Sequence, residues 1–513
     1  MNKQKTFIDN TLIEQEVKLL FDALCTGDNS FISKECILEA INKSGIDKND
    51  GRLKEILHNI NGNLNQESFY DLSSQSALLR KCLSGNLVIP DFESFSKNIL
   101  NIFKKTAKIK EGKVADYIPQ LARVNPDYFA VSICTIDGQE YSIGDYDQKF
   151  CFQSTCKPII YCLAQEEVGA KKVHEHVGFE PSGLGFNELS LDRNKKPHNP
   201  MINAGAIMCS SLIKRKENIA DKFDFVMQKM KELCNPTDIS FNNSVYLSER
   251  QTADRNFALA YYMRENNAFP ASTDILETLD FYFQCCSIET NAKGMAQIGA
   301  ALANSGISPF TEKRIFNNQT VQNCLSLMHT CGMYDYSGEF AFKIGVPAKS
   351  GVSGALLMVI PDLMGICIWS PLLDRIGNSV KGIEFCKDLA KQYNIHNFNS
   401  ITGEKPKKDP KSQRFDDTSK GVLALIEAAG KGDINEVQKI NASGVPLDAV
   451  DYDGRTALHL AVAERQVEMV QFLFDNHVNP KTKDRWGHTP ISEAKDNSYK
   501  EIVEIFSSTT NDA

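Results

Sequence analysis

Apolar residues recur at helical spacing through the N-terminal part of the chain. Residues 12–24, 34–41 and 52–60 each place apolar side chains three or four positions apart, which predicts amphipathic helices. Polar turns separate these helices, as they do in EF-hands, but the turn at 27–32 puts apolar groups where a calcium loop needs oxygen ligands and a glycine. We therefore expect residues 1–92 to form a helical, EF-hand-like region in which packing is favoured over calcium binding.

The pattern then changes to a mixture of strands and helices over residues 93–400. Strand-like runs lie at 128–134, 141–144, 356–360 and 365–369, and helical runs follow Ser154 and lie at 219–234 and 296–304. The most apolar segment, 354–371, is interrupted by Pro361 and Asp362, so it predicts two buried strands joined by a turn. It falls short of the ~20 apolar residues that span a bilayer. We expect an α/β domain here.

The C-terminal part contains a repeat. The segments that begin at Gly454 and Gly487 share a pattern around Thr456 and Thr489, which are 33 residues apart, the ankyrin period. A degenerate first unit occupies 423–447. A polar linker rich in Lys, Pro and Asp precedes the repeats at 401–419. Residues 420–513 are therefore expected to stack as ankyrin helix pairs that serve for packing or for docking a protein partner, without chemistry of their own.

Composition narrows the function classes. The formal charge of -8, from 57 basic and 65 acidic residues, argues against a nucleic-acid-binding surface. Fifteen cysteines without a CxxC pair or a zinc-type Cys/His spacing indicate free thiols in a reducing compartment, among them Cys285 and Cys286. The N-terminus has neither a signal peptide nor a transit-peptide character, so the protein is cytosolic or a targeting segment is missing.

Ser154 and Lys157 form an S-x-x-K motif at the predicted start of a helix. Residues at i and i+3 share a helix face, so the two side chains can touch. A buried lysine can lose its charge and act as the base that a serine nucleophile needs. Most such motifs arise by chance, with the serine capping the helix. The segment Lys349-Ser350-Gly351 strengthens the hypothesis, because penicillin-recognising serine hydrolases pair S-x-x-K with a K-S-G or K-T-G strand.

Other polar residues fit a small amino-acid substrate. Glu249 offers a carboxylate for an α-ammonium group, and Asn203, Asn256 and Tyr282 offer neutral donors for an α-carboxylate. Glu249 and Asn256 are seven residues apart, which places them on one helix face if that helix is continuous. Each of these residues taken alone is more typical of a loop, a solvated helix face or a core aromatic.

At these residues the chain resembles the phosphate-activated glutaminases of animals. The matching stretches are GKVADYIPQLA (112–122), FCFQSTCKP (150–158), EPSGLGFNELSLDRNKKPHNPMINAGAI (180–207), SERQTADRNFALAYY (248–262), LDFYFQCCSIE (279–289), LMHTCGMYDYSGEFAF (327–342) and PAKSGVSG (347–354). The resemblance implies a serine β-lactamase-like catalytic core between an EF-hand-like region and ankyrin repeats. It also implies hydrolysis of L-glutamine to L-glutamate and ammonia.

The resemblance further implies roles for individual residues. Ser154 is expected to be the nucleophile, Lys157 its base and Tyr334 the group that passes a proton to the leaving ammonia. Whether Lys157 or Tyr334 deprotonates Ser154 stays open. Val352 and Ser154 are expected to supply the amides of the oxyanion hole. Tyr117, which matches a tyrosine near the substrate, is expected to be a further catalytic residue. The expected substrate-binding positions are Gln153, Ser154, Asn203, Glu249, Asn256, Tyr282, Tyr334 and Val352.

The resemblance also implies homo-oligomers (dimers, tetramers or filaments), activation by inorganic phosphate, and no metal or organic cofactor. It favours a mitochondrial location, with the cytoplasm as the alternative. In the loop at 187–194, Ser190 replaces a larger apolar residue found in kidney-type relatives, and this loop lies at the family's tetramer interface. A smaller side chain buries less apolar area, so we expect weaker assembly and a poor response to inhibitors that bind there.

Two other hypotheses compete at this stage. A penicillin-binding or β-lactamase enzyme would account for Ser154, Lys157 and Lys349, but it leaves Glu249, Asn256 and the repeats unexplained, and no S-D-N motif is present. An ankyrin scaffold with an inactive hydrolase core would account for the repeats, but all candidate catalytic groups are present.

Overall fold

The structure is a computed structural model of the chain. It describes residues 14, 17, 20, 21, 24, 31–60, 62–185, 188–398, 407–411, 414–442 and 445–507. The chain divides into two compact units, residues 1–411 and 412–513.

The N-terminal region is helical. Its helices are α1 (Lys34–Lys43), α2 (Lys54–His58), α3 (Gln66–Ser74), α4 (Ala77–Ser84) and α5 (Phe92–Thr106). Polar residues cap several of them, as where the Ser33 hydroxyl accepts the Cys36 amide. The predicted helices at 34–41 and 52–60 are confirmed, whereas the predicted helix at 12–24 lies mostly outside the described residues. Most of the turn at 27–32 also lies outside them, but Ile32 pairs with Leu64 in a short antiparallel bridge.

This region docks on the α/β part of the same unit, at residues 93–398, through a buried glutamine. The Gln139 Nε2 donates to the carbonyls of Ser44 (2.7 Å) and Ile89 (2.9 Å), and its Oε1 accepts the Ile89 amide. Lys81 pairs with Asp137 in the same turn at 3.0 Å. The contacts therefore attach the helical region to the turn at 136–139, which lies between the strand-like runs predicted at 128–134 and 141–144.

The α/β part is organised around an antiparallel sheet. The strands of the chain are β1 (Ala130–Thr135), β2 (Glu140–Gly144), β3 (Phe150–Cys151), β4 (Ser240–Phe241), β5 (Ile288–Thr290), β6 (Ala348–Ser350), β7 (Ala355–Ile360) and β8 (Met364–Trp369). Five of them form one sheet in the order β2-β1-β8-β7-β6, and β3-β5-β4 form a small second sheet. The four predicted strand runs agree with β1, β2, β7 and β8 to within about two residues.

Helices cover both faces of the main sheet. They are α6 (Pro119–Ala122), α7 (Lys157–Val168), α8 (Ala170–His176), α9 (Asn203–Ser210), α10 (Ile219–Cys234), α11 (Asn243–Gln251), α12 (Asp254–Glu265), α13 (Ile275–Cys286), α14 (Ala292–Ala303), α15 (Asn318–Cys331), α16 (Ser337–Lys343) and α17 (Val380–Gln392). Alternate residues of β7 divide between two cores: Leu357 and Val359 belong to one, and Leu356 and Met358 to the other. Because both faces of the sheet are buried at β7 and β8, the sequences of these two strands are continuous apolar runs.

Helix α14 lies unusually close to the sheet. A Cβ atom added at Gly365 of β8 would sit 2.2 Å from the carbonyl carbon of Gly299 in α14. The two glycines therefore allow backbone-to-backbone packing that any side chain would prevent. This contact fixes the layer against which the remaining core helices pack.

The C-terminal unit consists of helix pairs, as the repeat predicted. Its described helices are α18 (Arg414–Lys431), α19 (Ile434–Ala442), α20 (Ala457–Ala463), α21 (Val467–Asp475), α22 (Pro490–Asp496) and α23 (Lys500–Ser507). Thr456 and Thr489 each cap a helix, with His459 and Ser492 completing a reciprocal capping box. Helix α18 starts at Arg414, inside the predicted linker, while residues 401–406 and 412–413 lie outside the described chain.

Among the described residues, no helix combines the length and the apolar character that crossing a bilayer requires.

Candidate active site

Ser154 lies in a short 3-10 helix, Gln153–Cys156, that runs directly into α7. The Nζ atom of Lys157 is in hydrogen-bonding contact with the Ser154 Oγ atom. Both side chains are buried, with 8% and 1% of their surfaces exposed. Burial lowers the pKa of Lys157 from the ordinary lysine value of 10.5. The pair thus has the geometry of a serine next to an amine that can exist without its proton.

Helix α7 holds this pair inside the core. Its residues from Lys157 to Gln165 are all buried, so the helix has no solvent face over its first turns. Pro158 occupies the first turn, where a missing amide proton costs nothing because that amide would have no partner within the helix. The apolar run after Ser154 is therefore a central core helix.

The predicted K-S-G segment lies beside the serine. Lys349 and Ser350 belong to the edge strand β6, and a Cβ atom at Gly351 would be 3.1 Å from both the Phe152 carbonyl oxygen and the Thr155 side chain. Within the described chain the Val352 amide donates to no carbonyl, so it is available to a bound oxygen atom. The two motifs are thus brought together, with the oxyanion-hole candidates on adjoining segments.

Lys349 is fully buried behind Tyr334. Its Nζ atom donates to the Ser350 carbonyl at 2.7 Å and lies 4.5 Å from the centre of the Tyr334 ring. Burial, followed by the nearby charge of Lys157, holds the pKa of Lys349 well below its usual range. The site therefore contains two buried lysines whose environment disfavours the charged form.

Tyr334 faces the nucleophile from a second 3-10 helix, Tyr334–Tyr336. Its backbone has a φ of 53°, in the left-handed region that residues with side chains rarely adopt. Burial raises the pKa of Tyr334, and an interaction with the Ser154 hydroxyl opposes this rise. The phenol therefore stays protonated near neutral pH and can donate a proton next to Ser154.

Glu249 of α11 is held by two neutral groups. The Tyr117 hydroxyl donates to its Oε1 atom at 2.6 Å, and the Gln153 Nε2 atom donates to the same oxygen at 2.9 Å. Burial raises the pKa of Glu249, and these two hydrogen bonds lower it. Gln153, like Tyr334, has a left-handed backbone, with φ 48°. The carboxylate is thereby fixed beside the nucleophile without a buried cation in direct contact.

A second polar group lies next to Lys157, on the side of Tyr282. The Asn203 Nδ2 atom donates to the Asn256 Oδ1 atom at 2.9 Å, and the Tyr282 hydroxyl donates to the Asn203 Oδ1 atom at 3.5 Å. The Lys157 Nζ atom lies 5.9 Å from the centre of the Tyr282 ring. These residues come from α9, α12 and α13, so three helices meet at this end of the site.

One sequence expectation about this end was wrong. Glu249 and Asn256 do not share a continuous helix, because α11 ends at Gln251 and α12 begins at Asp254. The spacing of seven residues spans a break at Thr252 and Ala253. Glu249 still reaches Gln153, and Asn256 still reaches Asn203, but tertiary packing rather than helical periodicity brings them there.

The loop that follows α8 lines a cavity next to Tyr334. This cavity, of about 310 Å³, is bounded by Pro181–Leu184 on the loop side and by Tyr334 and Asp335 on the other. Ser190 is half-buried further along the loop, and its amide donates to the Glu188 carbonyl at 2.9 Å. Residues 186 and 187 lie outside the described chain.

The structure also reveals a contact that the sequence did not predict. The Sγ atoms of Cys156 and Cys286 are 3.8 Å apart, directly behind Ser154 and Lys157. The residue types were visible in the sequence, but nothing in their spacing of 130 residues indicates the contact. Within the described part of the chain, no group of three or more His, Cys, Asp or Glu side chains is arranged to hold a metal ion.

Comparison with protein families gives three matches along the chain. The family model described as glutaminase matches residues 112–398, ankyrin repeats match 389–484 and 425–512, and an EF-hand domain matches 17–90. The catalytic match covers more than half of the chain and contains all the site residues described above.

Individual relatives extend over nearly the whole chain. Putative glutaminase 3 of Caenorhabditis elegans is 42% identical over 95% of this chain and 86% of its own. The mitochondrial glutaminase liver isoform of Rattus norvegicus is 42% identical over 91% of this chain and 79% of its own. Among solved structures, the probable glutaminase ybaS is 35% identical with a TM-score of 0.56, covering 58% of this chain and 96% of that one.

Proposed function

Because this chain belongs to the glutaminase family and hydrolyses L-glutamine to L-glutamate and ammonia, we propose that Ser154 is the nucleophile of that reaction. The observation that carries the proposal is the buried contact between Ser154 and Lys157, whose pKa is lowered by burial. A neutral amine in contact with the hydroxyl is the base that a serine needs to attack an amide.

The proposed reaction has two halves. Lys157 takes the Ser154 proton as the Oγ atom attacks the side-chain amide carbon of glutamine, and the carbonyl oxygen accepts the amides of Ser154 and Val352. The C–N bond then breaks, ammonia leaves with a proton from Tyr334, and a glutamyl ester remains on Ser154. Water attacks this ester in the second half and gives a proton to the Tyr334 phenolate, while Lys157 returns its proton to the Oγ atom as the Ser154 hydroxyl reforms and glutamate leaves.

Substrate recognition is assigned to the polar groups around Ser154 and Lys157. We propose that Glu249, held by Tyr117 and Gln153, binds the α-ammonium group, and that Asn203, Asn256 and Tyr282 bind the α-carboxylate. Directed hydrogen bonds of this kind select a small polar ligand, since leaving any of them unmade in a buried site is costly. The scheme uses side chains of the chain itself, with no metal or organic cofactor.

Several finer properties are also part of the proposal. The rat and mouse relatives are named mitochondrial, which supports a mitochondrial location here. The exposed apolar residues Leu247, Tyr261 and Leu276, on α11 to α13, support assembly into a homo-oligomer. Activation by inorganic phosphate, weak assembly through the Ser190 loop and a protein partner at the ankyrin repeats remain proposals that the same purified protein can test.

The decisive experiment is Ser154→Ala, assayed by ammonia release from glutamine with and without inorganic phosphate. We expect kcat to fall by at least about a thousand-fold, because the acyl-enzyme can no longer form. Ser210→Ala is the matched control, since this buried serine of α9 bonds only to the Ala206 carbonyl of its own helix, and it should keep its activity. A Ser154→Ala protein as active as the wild type would overturn the assignment.

A further inference from the structure

Two cysteines meet at the back of the catalytic site. Cys156 ends the 3-10 helix that carries Ser154, and Cys286 ends helix α13, which carries Tyr282. Their sulfur atoms are 3.8 Å apart. Cys156 is 0% exposed and Cys286 is 5% exposed, so both are buried and Cys286 is the less deeply buried of the two. The proposed mechanism uses neither thiol.

The pair lies among the groups that carry the proposed chemistry. Cys286 interacts with the Tyr282 hydroxyl, and it lies close enough to Lys157 for an electrostatic interaction between the two side chains. The contact with Cys156 and burial raise the pKa of the Cys286 thiol, and the charge of Lys157 opposes this rise. The Cys286 thiol does not ionise readily in this buried site. The Lys157 amine is close to it and can accept its proton.

We propose that hydrogen peroxide links Cys156 and Cys286 in a disulfide, and that this bond reversibly inactivates the enzyme. Forming the bond needs the two sulfur atoms, an oxidant and a base for the thiol proton, and it does not need Ser154. Its effect on activity rests on the proposed function, because it acts through Ser154 and its neighbours.

The chemistry is a two-step oxidation. The Cys286 sulfur, its proton taken by the Lys157 amine, attacks one oxygen of peroxide; the S–O bond forms, the O–O bond breaks, and the leaving hydroxide takes the proton back to give water. The Cys156 sulfur then attacks the Cys286 sulfur; the S–S bond forms, the S–O bond breaks, and the hydroxide leaves as water with the Cys156 proton. Two thiols are oxidised and one peroxide is reduced to two waters.

The bond would distort the site. A disulfide has an S–S length of about 2.05 Å, so the sulfurs must approach from 3.8 Å by nearly the length of a covalent bond. The 3-10 helix and the end of α13 move toward each other, and Ser154 is two residues from the linked Cys156. A displacement of about 1 Å at a reacting group can cost about a hundredfold in rate.

The position of Cys286 also predicts that a bound ligand protects the thiol from oxidation. Because Cys286 interacts with the Tyr282 hydroxyl, which is assigned to the substrate carboxylate, a bound amino acid should exclude peroxide from this end of the site. Glutamate, the product, is therefore expected to slow the oxidation when present at saturating concentration.

The test uses the full-length protein treated with millimolar hydrogen peroxide. We expect wild type to lose at least about tenfold in activity, to recover it with dithiothreitol, and to yield a linked peptide pair containing Cys156 and Cys286 on mass spectrometry. Cys156→Ala should resist the reversible loss. Cys162→Ala removes a buried cysteine next to Cys324 on the same helix α7, and it should behave like the wild type.

Three results would overturn the inference: reversible inactivation without the linked peptides, a linked protein of undiminished activity, or reversible loss in Cys156→Ala at the wild-type rate. If Cys156→Ala does not fold, Cys286→Ala makes the same test from the other sulfur. Ser154→Ala should form the link as fast as the wild type does. If Ser154 is not the nucleophile, the linked peptides should still form. If the linked peptides are absent from the oxidised wild type, only the disulfide proposal fails.

Discussion

The active site and the C-terminal repeat unit both bury polar side chains, but they satisfy them over different distances along the chain. In the repeats, Thr456 bonds to His459 and Thr489 to Ser492, three residues away in each case. In the active site, Gln153 and Glu249 are 96 residues apart, and Tyr117 and Glu249 are 132 apart. Local pairs belong to single helices, whereas the distant pairs exist only when the whole catalytic core is folded.

This difference separates stability from activity. A helix cap contributes to its own helix, and its loss is confined to the neighbouring turns. The polar groups around Ser154 are instead held by several helices and strands. Some of these groups, such as the buried lysines, lower the stability of the folded state. Substitutions in the two regions should therefore change different measurable quantities, which the following predictions test in order of expected size.

The largest effect is expected at Glu249. Glu249→Gln keeps the size of the side chain but removes the charge that would bind the α-ammonium group, so kcat/KM for glutamine should fall by about a hundredfold or more, mainly through KM. Steady-state ammonia release measures both constants. Glu277→Gln is the control, because Glu277 pairs with Lys222 on the surface of α13; equal losses in the two variants would remove Glu249 from substrate binding.

The next largest effect is expected in the pH dependence of kcat/KM, which should report the ionisation of Lys157. If Lys157 must be neutral to accept the serine proton, kcat/KM falls about tenfold per pH unit below its pKa. Burial lowers that pKa, so the half-maximal point on the acid side should lie below 10.5, the ordinary lysine value. The Glu249→Gln enzyme should show the same fall in kcat/KM on the acid side of the profile. A wild-type profile that reaches half its maximum only above pH 10.5 would contradict a neutral Lys157.

Lys349→Met is expected to raise stability while it lowers activity. The folded-state pKa of Lys349 lies below that of the unfolded chain, so unfolding takes up a proton between the two values and the folded state is penalised at lower pH. Methionine removes this penalty, and the free energy of unfolding should rise by about 1–2 kcal/mol near neutral pH. The gain should shrink as the pH rises toward 10.5.

Denaturant unfolding of the two proteins at several pH values measures this gain. The matched control is Lys343→Met, because Lys343 is exposed and pairs with Glu339, and exposed pairs contribute only about 0.5 kcal/mol. A Lys349→Met protein that is less stable than the wild type at neutral pH would show that the lysine supports the fold.

The smallest effect is expected in the repeats. Thr456→Ala removes one half of a capping box and should lower the free energy of unfolding of the repeat unit by about 1 kcal/mol. Thr489→Ala should have a similar effect on the following repeat. Neither change should alter kcat/KM, and a loss of activity in either variant would mean that the repeats act on the catalytic site.

The same contrast explains how much of the molecule could be predicted from its sequence. The strands β7 and β8, the helix α10 and the ankyrin pairs follow from local periodicity and turn residues, and all were located to within a few positions. The break between α11 and α12 was missed, because a spacing of seven fits a helix whether or not it is interrupted. The Cys156–Cys286 contact had no local signal at all, since packing of α13 against the 3-10 helix creates it.

Function was predictable for a different reason. The S-x-x-K and K-S-G motifs by themselves were also compatible with a penicillin-recognising enzyme. The longer matching stretches around Asn203, Glu249 and Tyr282 favoured glutamine, and family membership decided the question. The geometry adds which groups touch: the amine at Ser154, the phenol of Tyr334 and the two donors on Glu249.

The burial of helix α7 has a consequence for how substrate preference could change. With no solvent face over its first turns, this helix resists displacement, and the reacting end of the cavity is a fixed wall. Glu249 and Asn256 are carried instead by α11 and α12, which expose Leu247 and Tyr261. An enzyme selected for a shorter or longer amide would therefore be expected to acquire its changes on those two helices.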